Sequence, residues 1–196
     1  MKRSSTNSEK YPNGSKIIAS TGKRNLIRWR PILINFKNKE KMLSEKNNTA
    51  DRELIITREL NAPIELVWEV WTDPEHLAQW WGPDGFTNTI SKMDMKPGGD
   101  WDLVMHGPDG TDYKNKSVFR EIVKYRKIVY DHVSGPRFIA TISFEERGNK
   151  TFLHWHMLFE TKEQFIQTVK TFKADIGLKQ NVQKLELYLA NMKHSQ

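Results

Sequence analysis

Asp73-Pro74-Glu75-His76-Leu77-Ala78-Gln79-Trp80-Trp81-Gly82-Pro83 is the stretch from which the rest of the chain is read. Asp73 is a helix cap by its chemistry, and Pro74 suits a first helical turn, where a missing N–H costs nothing. Gly82-Pro83 ends the segment at once. A helix this short has no stability of its own, so other elements must bury its tandem indoles. The stretch reads as the lip of a pocket and the rest of the chain as the container. A short helix beside Gly-Pro also suits a gate.

On its N-terminal side, residues 52–60 carry Leu54-Ile55-Ile56-Thr57, a β-prone run that predicts a first strand. Asn61-Ala62-Pro63 then opens a helix whose Ile64, Val67, Trp68 and Trp71 share one apolar face. On its C-terminal side the chain reads as a β-meander, with strands at 86–94, 99–106, 114–122, 126–133, 137–146 and 150–160. Pro97-Gly98-Gly99, Gly107-Pro108-Asp109-Gly110, Ser134-Gly135-Pro136 and Arg147-Gly148-Asn149 supply the turns. Alternation puts Trp101, Leu103 and Met105 on one face, and likewise Phe138, Ala140, Ile142 and Phe144, and Leu153, Trp155, Met157 and Phe159. The spacing predicts an antiparallel sheet of sequential neighbours. Residues 162–193 read as one long helix with two apolar stripes, Phe165, Val169, Phe172, Ile176 and Leu178, Val182, Leu185, Leu189. The stripes are out of phase by roughly 140°. Gly177 marks the junction, where the helix bends or its halves bury different faces.

The 196 residues suffice for one domain with a real core. The absence of cysteine excludes disulfides, thiolate metal sites and cysteine nucleophiles, and fits a reducing compartment. No apolar run reaches the roughly 18 residues of a membrane span, and the first 25 residues lack a secretory apolar block. The net charge of +7 is unevenly placed. Residues 1–50 hold 12 Lys and Arg against 3 acids, a net of +9, whereas residues 51–196 hold 19 against 21, a net of −2. A near-neutral folded part argues against a nucleic-acid groove. Residues 1–50 read as a basic, disordered extension. Within it, the stretch from Leu26 to Phe36 has the makings of a membrane-surface or organelle-transit segment, and Met42 is an alternative start of the mature chain. Cytoplasmic localisation is the expectation otherwise.

Strand, two short helices, six-stranded meander and long helix is the order of the α+β helix-grip fold, a curved antiparallel sheet wrapped around a C-terminal helix. Thr72-Asp73-Pro74, Trp80-Trp81-Gly82-Pro83 and Pro97-Gly98-Gly99-Asp100-Trp101 carry a resemblance to a known family. The chain resembles the activator of heat-shock protein 90 ATPase homologue (AHSA-type) family, within the START/Bet v 1-like SRPBCC superfamily. The similarity spans about residues 52–193, which makes 51–193 the expected domain. It implies a pocket for a small hydrophobic or amphipathic ligand, because relatives in the superfamily bind lipids, sterols or polyketides and some act as cyclases. The family name also implies a stress-response role with a chaperone as partner. Eukaryotic co-chaperones of this kind carry a separate N-terminal chaperone-binding domain, and nothing in residues 1–50 is long or apolar enough to be one.

Broad apolar rings with one polar atom suit a ligand cavity. The cavity candidates are Trp68, Trp71, Trp80, Trp81, Trp101, Met105, Tyr130, Phe138, Trp155, Phe165, Val169 and Phe172. Helical spacing explains Trp68 and Trp71 equally well as core. His154 and His156 share a strand face at metal-ligand spacing, but a third ligand is not evident, and His132 or His106 would have to approach through strand pairing. Asp100 and Asp102 form a similar pair, better explained as a solvated outer face. Asp109 and Asp112 are explained by turn chemistry. Gly98-Gly99 is no phosphate loop, since no Lys-Ser/Thr follows. Tyr113, Tyr130, Arg120 and Arg137 are candidates for a polar group inside a cavity, where an inward Arg would meet a ligand carboxylate. No cofactor, metal site or catalytic set is expected. The leading expectation is non-catalytic binding of a small hydrophobic ligand. The alternatives are a chaperone-ATPase-regulating module and a cyclase- or hydrolase-like enzyme, the last requiring an ionisable residue of the His or Asp pairs to point inward.

Overall fold

Seven strands pair into one curved antiparallel sheet. A computed structural model describes residues 49–194; the expectations for the preceding residues, including the Leu26–Phe36 stretch and a start at Met42, lie outside the described residues. The strands are β1 (Glu53–Leu60), β2 (Thr87–Met93), β3 (Asp100–His106), β4 (Asp112–Val123), β5 (Lys127–His132), β6 (Phe138–Arg147) and β7 (Lys150–Phe159). Their order is β1-β7-β6-β5-β4-β3-β2, so the meander has sequential neighbours and β1 closes the far side on β7, with Glu53 opposite Leu158 and Leu60 opposite Thr151. Between β1 and β2 lie α1 (Ile64–Thr72) and α2 (Pro74–Trp80). Asp73 caps α2 by accepting from the Glu75 and His76 amides at 2.8 and 3.5 Å, with Pro74 in the first turn. This is the helix-grip architecture.

The C-terminal segment differs from the single helix expected. It forms α3 (Lys162–Phe172) and α4 (Ala174–His194), separated by Lys173 in the left-handed conformation at φ 48°. The break falls four residues before Gly177. It divides the two stripes between two helices, except that Ile176, the last residue of the first stripe, falls in α4. Leu178, Val182, Leu185 and Leu189 of α4 are all buried, each worth about 1.5–3 kcal/mol of transfer free energy. The first stripe is buried far less: Phe165 and Val169 are half-buried, and Phe172 and Ile176 are 55% and 46% exposed. Gly177 has a packing role instead. A Cβ there would lie 3.1 Å from Cγ of Pro83, so the missing side chain lets α4 approach the loop after α2.

The turn before β3 depends on both of its glycines. Gly98 adopts φ +82° and donates to the Phe119 carbonyl at 2.7 Å, while the Gly99 carbonyl accepts from the Phe119 amide at 2.9 Å. A Cβ on Gly98 meets nothing, whereas one on Gly99 would overlap the Asp94 backbone carbonyl. Gly98→Ala is therefore expected to cost about 1 kcal/mol through its left-handed backbone alone. Gly99→Ala should cost about 2–3 kcal/mol, since backbone rather than a flexible side chain has to move. Urea unfolding midpoints of the two variants check the order.

Candidate functional site

The concave face of the sheet carries buried aromatic rings that pack on one another. Trp81 stacks on Trp155 at 5.3 Å with 27° between planes and meets Trp101 edge-on at 4.9 Å. Trp71 meets Trp80 at 4.8 Å and Trp155 at 5.0 Å. Trp101 reaches Tyr130 at 5.1 Å and lies parallel to Phe119 at 5.9 Å. All six candidates Trp71, Trp80, Trp81, Trp101, Tyr130 and Trp155 are buried. Trp80 is 0% exposed and its indole N–H donates to the Val70 carbonyl at 3.0 Å; Trp81 is 9% exposed. The tandem expected at a pocket lip thus sits in the core. Burial pushes the Tyr130 hydroxyl pKa upward.

The loop after these tryptophans is fastened rather than loose. The Lys184 ammonium of α4 donates to the carbonyls of Trp81, Pro83 and Phe86 at 3.3–3.4 Å. Asn88 donates to the carbonyls of Trp81 and Ala78 at 2.7 and 3.2 Å. Burial of Lys184 holds its pKa below the ordinary lysine value, with Asp84 opposing. A gate at Gly82-Pro83 would have to break these bonds.

Phe138, Phe165, Val169 and Phe172 belong to the α3 end, whereas Met105 of β3 lies beside Gly82. Phe165 meets Phe159 at 5.6 Å, Phe159 meets Phe138 at 5.4 Å, and Phe138 meets Tyr130 at 6.3 Å. This chain of rings leads from beneath α3 to the tryptophan core. Phe138, Met105, Phe165 and Val169 are half-buried and Phe172 is exposed. Trp68 lies apart from this end, edge-on to Tyr125 and Phe144. Helix α3 has one fully buried side chain, Thr168, whose hydroxyl donates within the helix to the Gln164 carbonyl at 2.6 Å. Its first turn is held by the Thr161 cap and a Lys162–Asp51 ion pair at 3.2 Å.

One inward ionisable residue in this region is His132, which the sequence marked only as a remote metal ligand. Its ring stacks on Phe138 at 4.6 Å and 5°. Nδ1 faces the Pro136 carbonyl at 2.9 Å and Nε2 faces Asn115 Oδ1 at 2.9 Å and Ser134 Oγ at 3.3 Å. The Asn115 amide is oriented by its own donation to the Tyr113 carbonyl at 2.8 Å. Ser134 Oγ accepts from the Lys116 amide, so its proton is the donor open to a neutral Nε2, whereas Asn115 Oδ1 accepts from Nε2 only when that nitrogen carries a proton. Burial holds the His132 pKa below its ordinary 6.5, against the pull of the Pro136 carbonyl and Asp131.

The other chemical candidates face outward. His154 and His156 alternate with the buried Leu153 and Trp155, and His156 pairs with Glu53 at 2.8 Å. Asp100 pairs with Lys92 at 2.6 Å and Lys116 at 3.8 Å; Asp102 lies on the same outer face. Arg120 and Arg137, considered for the interior, also lie outside, because the strand parity that buries Phe119 and half-buries Phe138 turns them away. Tyr113 is 37% exposed, beside Phe86 at 5.8 Å. Among the described residues no cluster of three or more His, Cys, Asp or Glu is placed to hold a metal ion.

A model of the family described as Activator of Hsp90 ATPase homolog 1-like protein matches residues 61–190. The chain belongs to this family. No curated protein is significantly similar to it. Among solved structures, a Nitrosomonas europaea protein is 25% identical with a TM-score of 0.66, over 74% of this chain and 98% of its own. An Arthrobacter aurescens protein is 24% identical with a TM-score of 0.68, over 74% and 90%. The AHSA1 protein of Silicibacter pomeroyi is 19% identical with a TM-score of 0.58, over 71% and 99%. This family fold is that of a ligand-binding or Hsp90 ATPase-activator type module. Among the described residues no helix is long and apolar enough to cross a membrane.

The buried His132 predicts a pH effect. Its folded pKa lies below the unfolded one, so the unfolded chain binds the proton more readily. The stabilisation from keeping it neutral is present above the ordinary 6.5 and is lost as pH falls. Wild type should therefore lose more stability than His132→Gln between about pH 7 and pH 5, read from urea midpoints at both values.

Proposed function

We propose that the domain binds a small hydrophobic or amphipathic ligand without catalysis, between α3 and the sheet end formed by Phe138 and Phe159. The observation that carries this reading is the weak seating of α3. This amphipathic helix buries one side chain fully, leaves Phe172 more than half exposed, and is set off from α4 by the left-handed Lys173. Elements with few buried apolar groups open at low free energy. Opening α3 would uncover Phe165, Val169, Phe138 and Phe159, while the tryptophans stay as a packed floor. Met105, Trp68 and Phe172 are secondary candidates on this reading.

The exposed Phe172 and Ile176 support a second reading, in which an apolar patch docks on a protein partner such as a chaperone ATPase. Titration of the full chain with fatty acids, sterols and flavonoids, followed by tryptophan fluorescence, separates the two. Ligand binding predicts a saturable change that weakens by about tenfold in Phe165→Ala, the cost of losing one buried ring contact, and is unaffected in His154→Ala on the outer face. A flat titration together with a changed Hsp90 ATPase rate would favour the second reading.

A further inference from the structure

The outer face of the sheet carries a cleft of about 150 Å³. Its floor is apolar, formed by Ile139 of β6 and Leu158 of β7, which stand opposite each other in register. Its walls bring together three guanidinium groups from distant parts of the chain, Arg52, Arg120 and Arg137, and two carboxyl residues, Asp131 and Glu160.

The three are not equivalent. Arg120 is neutralised by Asp131, whose carboxylate accepts from its Nη2 at 2.6 Å. Arg52 spends Nη1 on two main-chain carbonyls, those of Phe159 at 2.5 Å and Glu160 at 3.2 Å. Those bonds fix the group in place and leave its Nε and Nη2 donors unspent, and Arg52 has no ion pair among the described residues. Arg137 has no side-chain partner among the described residues. The cleft therefore holds one internally paired guanidinium and two without an ion pair among the described residues, beside an apolar floor that Glu160 borders. A fixed, planar guanidinium that retains donors is suited to a carboxylate, and the floor suits an apolar body attached to it.

We infer that this cleft is a second binding site, for a small organic carboxylate whose apolar part lies on Ile139 and Leu158 and whose carboxylate is held by Arg137 and Arg52. Asp131 pairs with Arg120 and, together with Glu160, leaves three guanidinium groups against two carboxylates in the lining, a net of +1 that suits a single negative group. The cleft opens on the opposite face of the sheet from the space beneath α3, Phe138 and Phe159 bordering both, and the inference does not rest on the proposed function.

The test uses the full chain and benzoate, with backbone amide NMR shifts as the readout. Saturable shifts of the Ile139, Leu158 and Glu160 amides are expected, weakening as salt is raised. Arg137→Gln, an exposed substitution, should weaken benzoate by about tenfold through loss of a charge-assisted bond. Asp131→Asn should strengthen it, because Arg120 is released. Inorganic phosphate should shift the same amides more weakly. Absence of saturable shifts at these amides, an unchanged response in Arg137→Gln, or phosphate binding as tightly as benzoate would each overturn the inference. Shifts confined to residues 165–172 would also overturn it, and would instead place benzoate beneath α3.

Discussion

The indole of Trp81 lies between those of Trp155 and Trp101, and the surrounding elements are arranged so that it stays there. Trp155 comes from β7, Trp101 from β3, and the sheet must curve to bring both to one ring. Helix α1 adds Trp71 from above, and α2 adds Trp80, tied to α1 through the Val70 carbonyl. Lys184 then fixes the chain leaving Trp81 to α4. Edge-on and offset contacts between large rings give both burial and preferred geometry, so this one cluster sets the relation of sheet, short helices and long helix.

That cluster also decides where function can reside. Six buried rings packed on one another form a floor, and attention moves to the α3 end, where the packing becomes half-buried. There the interior is less uniform. His132, Asn115 and Ser134 place a polar group against Phe138, with every ring nitrogen given a partner. Such a satisfied polar group specifies local geometry at a cost that depends on its protonation.

Much of the fold was legible because its signals are local. Alternation over four to eight residues marks a strand, and Asp-Pro marks a helix start, whatever the rest of the chain does. The family motifs extended that reading to the helix-grip architecture. The site was less legible. An indole that lines a cavity and one that fills it have the same sequence, because the difference lies in how many others reach the same point. Nothing in Thr-Phe-Lys-Ala signals a left-handed Lys173, while Gly177 attracts attention for its flexibility and turns out to matter for its size. The side His132 faces depends on strand parity, which β5 alone states over only six residues.

The pairing of β1 with β7 has a consequence for how the molecule is made. Glu53 meets Leu158 across more than half of the chain, whereas β2 to β7 are joined by hairpins whose partners are near in sequence. Loop-closure entropy favours the near pairings first. During synthesis the first strand emerges long before its partner exists, so β1 is the last strand able to join the sheet. Until β7 has left the ribosome, Leu54, Ile56 and Leu60 have no permanent cover.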